Sequence, residues 1–510
     1  MSLSTVYRFR WHIAVAILLV ALLMGMLPLM SHATRATGSH PQSKPTSIIF
    51  KSHHFSFAQS SLQAPPDSFC RSHFNIPCYS PQEMRNAYDL TPVLNAGFNG
   101  KGQTIVIIDS FGSPTIVNDL HVFDAGYGLP DPPSFKILTP LGTIKFNPGN
   151  SDMVNWAFET SLDVEWAHAI APGANIVLMT SPVSETQGVQ GMPEFLYLEK
   201  YAVNHHIGNI ISQSWGTTEE TLFTPGGRQI LNSFNDFYKQ AGQQGITFLA
   251  SSGDSGVANV NVNGKIYPFP TVIFPASSPY VTAVGGTSLY ATTSGVYQHE
   301  TVWNNSIGAT GGGVSHYFAE PGYQKQYLPS SDQSLLKGHR GLPDIAYNAD
   351  PNTAILVYIS FLGGSNNGYY FIGGTSEGAP QWAGIIADGN QWAGHPFGFL
   401  NNDIYQLGSG SDYGESFHDI TVGNNSFAGI KGYNATPGWD LTTGWGTPKA
   451  ATMLSELIEI ASGQSSQSII PLQNPILAIS STHHFLLHHR TAEIIGIISR
   501  QLISDMLHCS

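Results

Sequence analysis

Short apolar runs rich in β-branched residues alternate with helical stretches along the middle of this chain. Turn residues bound the runs, which is the pattern of strands buried on both faces. The runs lie at residues 103–109, 174–179, 207–211 and 246–250. The clearest helices are predicted between them, at 155–170 and 194–205. This alternation predicts an α/β fold with a mostly parallel sheet flanked by helices, whose functional groups gather at the carboxyl ends of the strands.

The charge balance argues against nucleic acid as a partner. Only 11% of the 510 residues are charged, and 21 Lys and Arg stand against 34 Asp and Glu, for a formal net charge of -13. Duplex binding needs clustered cations, which this composition does not supply. The chain also has 20 His residues, so acidification would reverse the sign of its net charge.

The first 33 residues have the pattern of an export signal. Arg8 and Arg10 precede an almost unbroken apolar run at 13–30, and the next three residues (SHA) fit a small-x-small cleavage site. The run is also nearly long enough to span a bilayer, so an uncleaved N-terminal membrane anchor is the alternative. We therefore expect a secreted protein, or one anchored to the outer face of the cell membrane, with no other membrane contact.

Two further segments differ in composition from the predicted core. Residues 34–78 are rich in Ser, His, Pro and Gln, which predicts a linker or the remnant of a short pro-segment. Within them, Cys70 and Cys78 could close a small disulfide loop in an oxidising compartment. Residues 461–510 form an apolar, His-rich tail of unknown role. Between these segments we predict a single large domain, residues 79–460.

A candidate nucleophile lies in the segment GGTSEGAP, residues 373–380. Pro380 suits the first turn of the apolar helix that follows, and the glycines permit a tight entry that presents the Ser376 hydroxyl near the helix N-terminus. An ordinary glycine-rich turn, with Ser as a helix cap, also explains this segment. The interpretation therefore depends on partner residues.

The usual partners of such a Ser are a His base and an Asp. Asp109, at the end of the first predicted strand, looks like the Asp of subtilisins. Subtilisin-like chains also carry a His-Gly-Thr segment between that Asp and the Ser, but no His between Asp109 and Ser376 is followed by Gly. We therefore expect a base other than His.

Glu159 and Asp163 offer that base. They stand one turn apart on one face of a predicted helix, among bulky apolar residues. Two neighbouring carboxyls in a low dielectric would share a proton, whereas a solvated acidic face is the alternative. His168 is nine positions from Glu159 and points to the opposite side of the helix.

A third acid, Asp254, lies in the turn SSGDSG directly after the predicted strand at 246–250. An Asp in a glycine-flanked turn is usually a turn former. Its position at a strand end nevertheless places it where site residues of a parallel sheet gather.

Taken together, these segments resemble the sedolisin family, the serine-carboxyl peptidases. The resemblance covers about residues 79–458 and includes, in order, YSPQEMRNAYDL, SQSWG, SSGDSG, ETVWNNS, GGGVSHYF, RGLPDIAYNADP, GGTSEGAP and GWDLTTGWGTP. It implies a subtilisin-like fold and a serine-type endopeptidase with a Ser-Glu-Asp triad. We expect polypeptide substrates and a monomer.

The resemblance also implies a role for each candidate. Ser376 attacks the scissile carbonyl, Glu159 takes its proton, Asp163 orients Glu159, and Asp254 donates a hydrogen bond to the oxyanion. Asp254 donates only when protonated, so we expect activity at acid pH. Asp109 then becomes a structural residue at a strand end.

Two glycine-containing segments resemble the lining of the family's substrate cleft. Trp215 and Gly216 lie in SQSWG, and Gly312 lies in GGGVSHYF. Backbone pairing with an extended peptide would supply affinity there.

The family binds one calcium ion, and residues near the end of the domain resemble that site. The expected ligands are the side chains of Asp419 and Asp440 and the carbonyls of Ile420, Thr436 and Gly438. With water they supply the oxygen set that calcium prefers. Many relatives have Gly where Thr436 stands, a change that a carbonyl ligand tolerates.

One departure supports a rival function. Family members carry a prodomain of well over about a hundred residues, and only about 45 residues separate the apolar segment from the expected start of the peptidase. A catalytically silent, calcium-stabilised extracellular peptide-binding protein is therefore the alternative, and a subtilisin-type Ser-His-Asp enzyme is a more distant one.

Overall fold

Strands and helices alternate through the part of the chain that the structure describes, residues 48–55 (backbone only) and 63–463 of a computed structural model. The strands, numbered along the chain, are β1 (Ile48–Phe55), β2 (Cys78–Tyr79), β3 (Thr104–Ser110), β4 (Phe135–Leu138), β5 (Asn175–Ser181), β6 (Ile210–Gln213), β7 (Thr217–Thr218), β8 (Thr247–Ser251), β9 (Ile273–Phe274), β10 (Thr282–Ala291), β11 (Tyr297–Val302), β12 (Gly313–Ala319), β13 (His339–Leu342), β14 (Ile345–Asn348), β15 (Ala354–Ile359), β16 (Gly368–Gly373), β17 (Phe417–His418) and β18 (Thr447–Pro448).

The helices connect these strands and cover the sheets. The α-helices are α1 (Asp67–Phe74), α2 (Pro81–Ala87), α3 (Thr91–Asn95), α4 (Ile116–Tyr127), α5 (Ser151–Ile170), α6 (Met192–Asn204), α7 (Pro225–Gly242), α8 (Gly322–Tyr327), α9 (Ser330–Leu336), α10 (Gly378–Ala393), α11 (Asn401–Gly408), α12 (Tyr413–Ser416) and α13 (Ala450–Ala461). Short 3₁₀ turns lie at Glu219–Leu222, Pro351–Thr353, Gly364–Asn366 and Thr375–Glu377.

Eight strands form the main sheet. Its order is β11-β10-β8-β6-β3-β5-β4, with β14 also paired to β10. All pairings are parallel except that of β10 with β11. The four strands expected from apolar runs are β3, β5, β6 and β8, and the two expected helices are α5 and α6. The mostly parallel sheet is thus confirmed.

Helices cover both faces of the main sheet, so alternate residues of its strands are buried in two different apolar cores. On β3, Ile105 and Ile107 pack in one core and Val106 and Ile108 in the other. Successive side chains of a strand point to opposite faces. Strands buried on both faces therefore have no polar alternation, which explains the continuous apolar runs of the sequence.

A second, smaller sheet has the order β1-β16-β15-β2. The middle strand β16 pairs antiparallel with both β1 and β15, and its last residue, Gly373, opens the GGTSEGAP segment. The helices that carry the predicted site, α5 and α10, pack against each other. Their approach is so close that a Cβ atom on Gly384 of α10 would lie 2.7 Å from Cβ of Ile170.

The segment expected to be a linker or pro-segment contains regular structure near its end. Helix α1 occupies Asp67–Phe74, and a disulfide between Cys70 and Cys78 attaches it to β2. The side chain of Arg71 also pairs with Asp67 at 2.5 Å. A short amphipathic helix held by one covalent link and one ion pair has little sequence signal of its own, so composition alone missed it.

The predicted signal peptide or anchor, residues 1–33, and the tail beyond residue 463 lie outside the described residues. Among the residues that are described, no helix is both long and apolar enough to cross a membrane.

Candidate active site

The candidate nucleophile lies in a tight turn between β16 and α10. Gly374 has φ 113°, a conformation that favours glycine, and the 3₁₀ turn Thr375–Glu377 then leads into the helix. Pro380 falls in the first helical turn, as expected. Ser376 is fully buried. The sequence therefore builds a short, rigid entry to α10 that holds Ser376 at the helix N-terminus.

The structure brings the two acids of α5 next to this turn. Glu159 and Asp163 are fully buried, and α5 contacts the Thr375–Glu377 turn. Ser214, which follows β6, donates from Oγ to Oδ1 of Asp163 at 2.8 Å, and the same Oγ lies 3.5 Å from the carbonyl oxygen of Ser376. Ser214 thus links the acid pair to the nucleophile's backbone.

Burial raises the pKa of Asp163 well above its usual range, and the neighbouring carboxyls of Asp109 and Glu159 raise it further. Ser214 supplies the only hydrogen bond to Asp163 among the described residues, and Oδ2 receives none. One donor and two neighbouring carboxyls favour the protonated form of Asp163. The proton shared between Glu159 and Asp163 stays a prediction from the sequence.

Asp109 is a third carboxyl of the cluster, which the sequence interpretation had separated from the site. It is the penultimate residue of β3, fully buried, and Thr160 of α5 donates to its Oδ2 at 2.9 Å. Burial raises the pKa of Asp109 to about 7, although the Thr160 hydrogen bond lowers it. Its position at a strand end was the signal that could have identified it.

His168 lies away from the acid pair, as its helical phase predicted. Its Nε2 atom is 2.8 Å from the carbonyl oxygen of Pro130 and 3.4 Å from Oδ1 of Asp124. Burial lowers the pKa of His168 to about 4. His168 thus contacts Pro130 and Asp124, and neither contact supports a His-based mechanism.

Asp254 contacts the nucleophile's turn directly, three residues beyond β8. Its Oδ1 atom accepts hydrogen bonds from both the backbone N–H and the hydroxyl of Thr375, each at 2.8 Å. Thr375 in turn accepts from the backbone N–H of Gly253 at 3.0 Å. The two segments found separately in the sequence, SSGDSG and GGTSEGAP, are thus joined by a small hydrogen-bonded ring.

The second oxygen of Asp254 suits a proton donor. The residue as a whole is partly exposed, but Oδ2 is buried and receives no hydrogen bond from the described residues. Burial raises the pKa of Asp254 to about 8, although the two hydrogen bonds from Thr375 lower it. With Oδ1 occupied by donors, the proton belongs on Oδ2, where it is available to donate.

Three of these residues come from neighbouring strands of the main sheet. Asp109 is the penultimate residue of β3, Ser214 follows β6, and Asp254 follows β8, and these strands are adjacent in the order β8-β6-β3. The carboxyl ends of parallel strands meet at one edge of the sheet. The sequence interpretation missed the roles of Ser214 and Thr375, although both lie in quoted motifs, SQSWG and GGTSEGAP.

The expected substrate-binding segments lie beside the Asp254 turn. Trp215 is fully buried, with its ring centroid 4.4 Å from that of Phe195. A Cβ atom on Gly216 would lie 2.6 Å from Ile273, and one on Gly312 would overlap the carbonyl of Leu441. All three residues are thus closely packed in the protein, and their role in binding substrate stays a prediction.

The candidate calcium ligands also come together. Asp419 accepts from the backbone N–H of Gly438 at 3.1 Å, and Oδ2 of Asp440 accepts from that of Thr436 at 3.0 Å. Ile420 follows Asp419 and is buried. The described residues contain no cluster of three or more His, Cys, Asp or Glu side chains that could hold a metal. Two carboxylates in one loop cluster fit calcium chemically, provided that backbone carbonyls and water complete the set.

Comparison with known proteins identifies the family and the fold of this chain. The model of the subtilase family matches residues 142–395, which include all four candidate catalytic residues. Kumamolisin of Bacillus sp. (strain MN-32) is 36% identical over 390 residues, or 75% of this chain and 64% of kumamolisin. Sedolisin of Pseudomonas sp. (strain 101) is 31% identical, over 72% of this chain and 59% of sedolisin.

Tripeptidyl-peptidase 1 of Homo sapiens is also similar, with 31% identity over 59% of this chain and 52% of its own length. The chain therefore spans between about half and two thirds of these relatives. A solved structure of Pseudomonas sedolisin, a serine-carboxyl proteinase complexed with two molecules of pseudo-iodotyrostatin, matches with a TM-score of 0.60 and 31% identity. That match covers 76% of this chain and 100% of the sedolisin chain. The chain belongs to the sedolisin family of serine-carboxyl peptidases, and it has their subtilisin-like fold.

Proposed function

We propose that this chain is a serine-type endopeptidase that hydrolyses polypeptides in acid. Ser376 is the nucleophile, Glu159 the general base, Asp163 its orienting partner, and Asp254 the oxyanion donor. The observation that carries the proposal is that Thr375 ties the nucleophile's turn to Asp254 and Ser214 links the turn to Asp163. Family membership supports the same assignment.

In the proposed reaction, Oγ of Ser376 bonds to the scissile carbonyl carbon while Glu159 accepts the hydroxyl proton. The carbonyl oxygen becomes an oxyanion, to which protonated Asp254 donates. Glu159 then returns the proton to the leaving amine as the C–N bond breaks. Water then adds to the acyl carbon while Glu159 accepts its proton, and Glu159 returns that proton to Oγ of Ser376 as the ester C–O bond breaks.

The pH dependence follows from the proton that Asp254 must carry. Because burial raises the pKa of Asp254 to about 8, its donor form is present at acid pH and is lost as pH rises through that value. Burial also raises the pKa values of Asp163 and Asp109, so the acid cluster gains negative charge as pH rises. We therefore expect activity to be greatest in acid and to fall toward alkaline pH.

Hydrolysis of an acid-denatured protein between about pH 3 and pH 7 tests the proposal. The wild-type chain should cleave it, with a maximum below about pH 6, and Ser376→Ala should not. Ser161→Ala is a matched control, because Ser161 is a buried serine on α5 whose hydroxyl donates to the carbonyl oxygen of Ala157 in the same helix. A maximum above about pH 7, or cleavage by Ser376→Ala, contradicts the assignment.

Endopeptidase action needs its own test, because a tripeptidyl-peptidase is among the relatives. An endopeptidase should cleave a long peptide equally well with a free or an acetylated N-terminus. A tripeptidyl exopeptidase should release tripeptides from the free peptide alone. Mass spectrometry of the products distinguishes the two activities.

Calcium is a further part of the proposal. Asp419 and Asp440 would hold one ion through their carboxylates, with the carbonyls of Ile420, Thr436 and Gly438. A bound calcium would supply positive charge that fixes these loops near the end of the domain. The supporting observation is the convergence of both carboxylates on the loop at 436–440.

We also propose that the protein works outside the cytoplasm. The supporting observation is the Cys70–Cys78 disulfide, which joins α1 to β2. Structural disulfides persist in oxidising compartments and are rare in the cytosol.

A further inference from the structure

Glu377, the residue directly after Ser376, is a buried acid that the mechanism does not use. Its side chain is fully buried, and Oε1 accepts hydrogen bonds from Nδ2 of Asn348 at 3.0 Å and from Nε2 of Gln381 at 3.4 Å. Asn348 belongs to β14 and Gln381 to α10. The carboxyl of Glu377 therefore braces the nucleophile's turn against a strand of the main sheet.

Asn348, the residue that contacts Glu377 from the main sheet, is itself held by further hydrogen bonds. Nδ2 of Asn348 also donates to the carbonyl of Thr353 at 2.7 Å, and Oδ1 accepts from the backbone N–H of Leu289 at 3.0 Å and the hydroxyl of Thr353 at 2.8 Å. All of these atoms are buried. Asn348 cannot follow a movement of Glu377 without breaking several hydrogen bonds, so the turn is held from a fixed point.

The surroundings of Glu377 favour its neutral form. Both hydrogen bonds come from uncharged amides, and Oε2 receives none from the described residues. The titratable groups in electrostatic range are Asp350 and the phenols of Tyr88 and Tyr347, none of which carries positive charge. Burial, more than any other factor, raises the pKa of Glu377 well above its usual range.

Among residues 63–463, the other elements that contact the turn add no positively charged group. Helix α5 contributes Glu159 and Asp163, and Asp254 approaches through Thr375. Arg85 interacts with Asp388 and Tyr347 and donates to the carbonyl of Ala169. Its charge is therefore directed to groups other than Glu377. A negative Glu377 would therefore be stabilised by only two amide donors, and a buried charge so poorly compensated is costly.

We infer that Glu377 is a positioning residue whose neutral carboxyl holds the turn that carries Ser376, so that its loss of a proton disables the site as pH rises. The inference rests on the proposed function of Ser376. Ionisation draws the carboxyl toward water and away from Asn348, and the turn moves with it. Because the same turn binds Asp254 through Thr375, nucleophile and oxyanion donor are displaced together.

The direction of the effect follows from linkage. A carboxyl whose pKa is raised in the folded protein contributes stability at low pH, and this contribution is lost as pH rises through the raised value. Glutamine has the shape and hydrogen-bonding oxygen of the neutral acid but does not titrate. Glu377→Gln should therefore keep the hydrogen bond from Asn348 at every pH.

The experiment compares pH profiles of kcat and KM for the wild type, Glu377→Gln, Glu377→Ala and a control, Glu165→Gln. Glu165 is an equally buried acid on α5 that accepts from the backbone N–H of Tyr358, away from the turn. We expect Glu377→Gln to keep acid activity and to move the alkaline limb of kcat upward by about half a pH unit, which is about threefold at a fixed pH on that limb. Glu377→Ala should lose about tenfold in kcat at acid pH, with KM little changed.

The inference would be overturned if the alkaline limbs of kcat coincide for the wild type and Glu377→Gln. An equal upward shift of that limb in Glu165→Gln would overturn it as well. If the wild type cleaves nothing, the proposed function fails, and hydrogen–deuterium exchange of peptides spanning residues 369–381 still decides the structural part. After correction for the intrinsic rate, protection of this segment should fall with rising pH in the wild type and not in Glu377→Gln. Equal protection in both proteins would again reject the role of Glu377.

Discussion

Two buried acids, Asp163 of the candidate active site and Asp440 of the candidate calcium loop, have opposite surroundings. Asp163 accepts one hydrogen bond, from Ser214, and lies beside two other carboxyls, so its pKa is raised well above the usual range. Asp440 accepts from the backbone N–H groups of Thr436, Thr442 and Thr443. Burial raises the pKa of Asp440 only to about 6, because these donors oppose it. The supply of donors, more than depth, decides whether a buried carboxyl keeps its charge.

The comparison predicts that substitutions in the active-site acids lower activity, whereas substitutions in the calcium loop lower stability. Glu159→Gln should have the largest effect. Removing the base should lower kcat by about 10⁴-fold, while the melting temperature stays close to that of the wild type because the side chain keeps its volume. Asp440→Asn should lower the melting temperature and leave kcat close to that of the wild type. Activity and melting measured on the same preparations test this contrast, and a Glu159→Gln enzyme with wild-type kcat would remove Glu159 from the mechanism.

Changing Asp254 should have the next largest effect. Asp254→Ala removes the oxyanion donor and should reduce kcat by about 10² to 10³-fold. Asp254→Asn keeps an N–H donor that does not titrate, so it should lose less and should retain activity at higher pH than the wild type. Steady-state kinetics across the pH range measure both effects. Equal losses in the two variants would show that the carboxyl does more than donate.

Calcium removal should have a moderate effect on stability. In the Ser376→Ala background, which prevents self-digestion, a chelator should lower the melting temperature by about 3 °C or more. Calcium, but not magnesium, should restore it, because the larger ion accepts more oxygen ligands. Identical melting curves with and without chelator would mean that Asp440 anchors its loop through backbone donors alone.

Ser214→Ala should have the smallest effect on the acid cluster. It removes the hydroxyl that contacts Asp163 and should lower kcat by about tenfold, the equivalent of one hydrogen bond to a buried polar group, with little change in KM. Ser161→Ala again serves as the buried control. Similar kcat values for both variants would show that Asp163 is held by packing.

The sequence predicted the elements that local pattern determines. The apolar runs of β3 and β8 and the helical spacing of Glu159 and Asp163 depend on neighbouring residues, so the strands, the helix and the shared face all agree with the structure. The resemblance to a known family brought the separate motifs together. Local pattern also predicted that Ser376 lies just before a helix, since Pro380 and the glycines indicate that helix start.

Contacts between distant segments could not be predicted in the same way. Asp109, Ser214 and Asp254 are near one another because β3, β6 and β8 are adjacent in the sheet, and the sheet order has no local signature. The Glu377–Asn348 hydrogen bond is a similar case, because it joins two elements 29 residues apart. In both cases the chemistry depends on tertiary packing that periodicity does not report.

The nucleophile and its partners are supported by different sheets, and this division has a mechanical consequence. Ser376 follows β16 of the smaller sheet, whereas Asp109 lies near the end of β3, and Ser214 and Asp254 follow β6 and β8 of the main sheet. The two sheets are thus separate frameworks for the site, and they meet across a shared apolar core. A slight slip between the frameworks would stop the chemistry while both sheets remain folded, so heat should inactivate the protein before it melts the secondary structure.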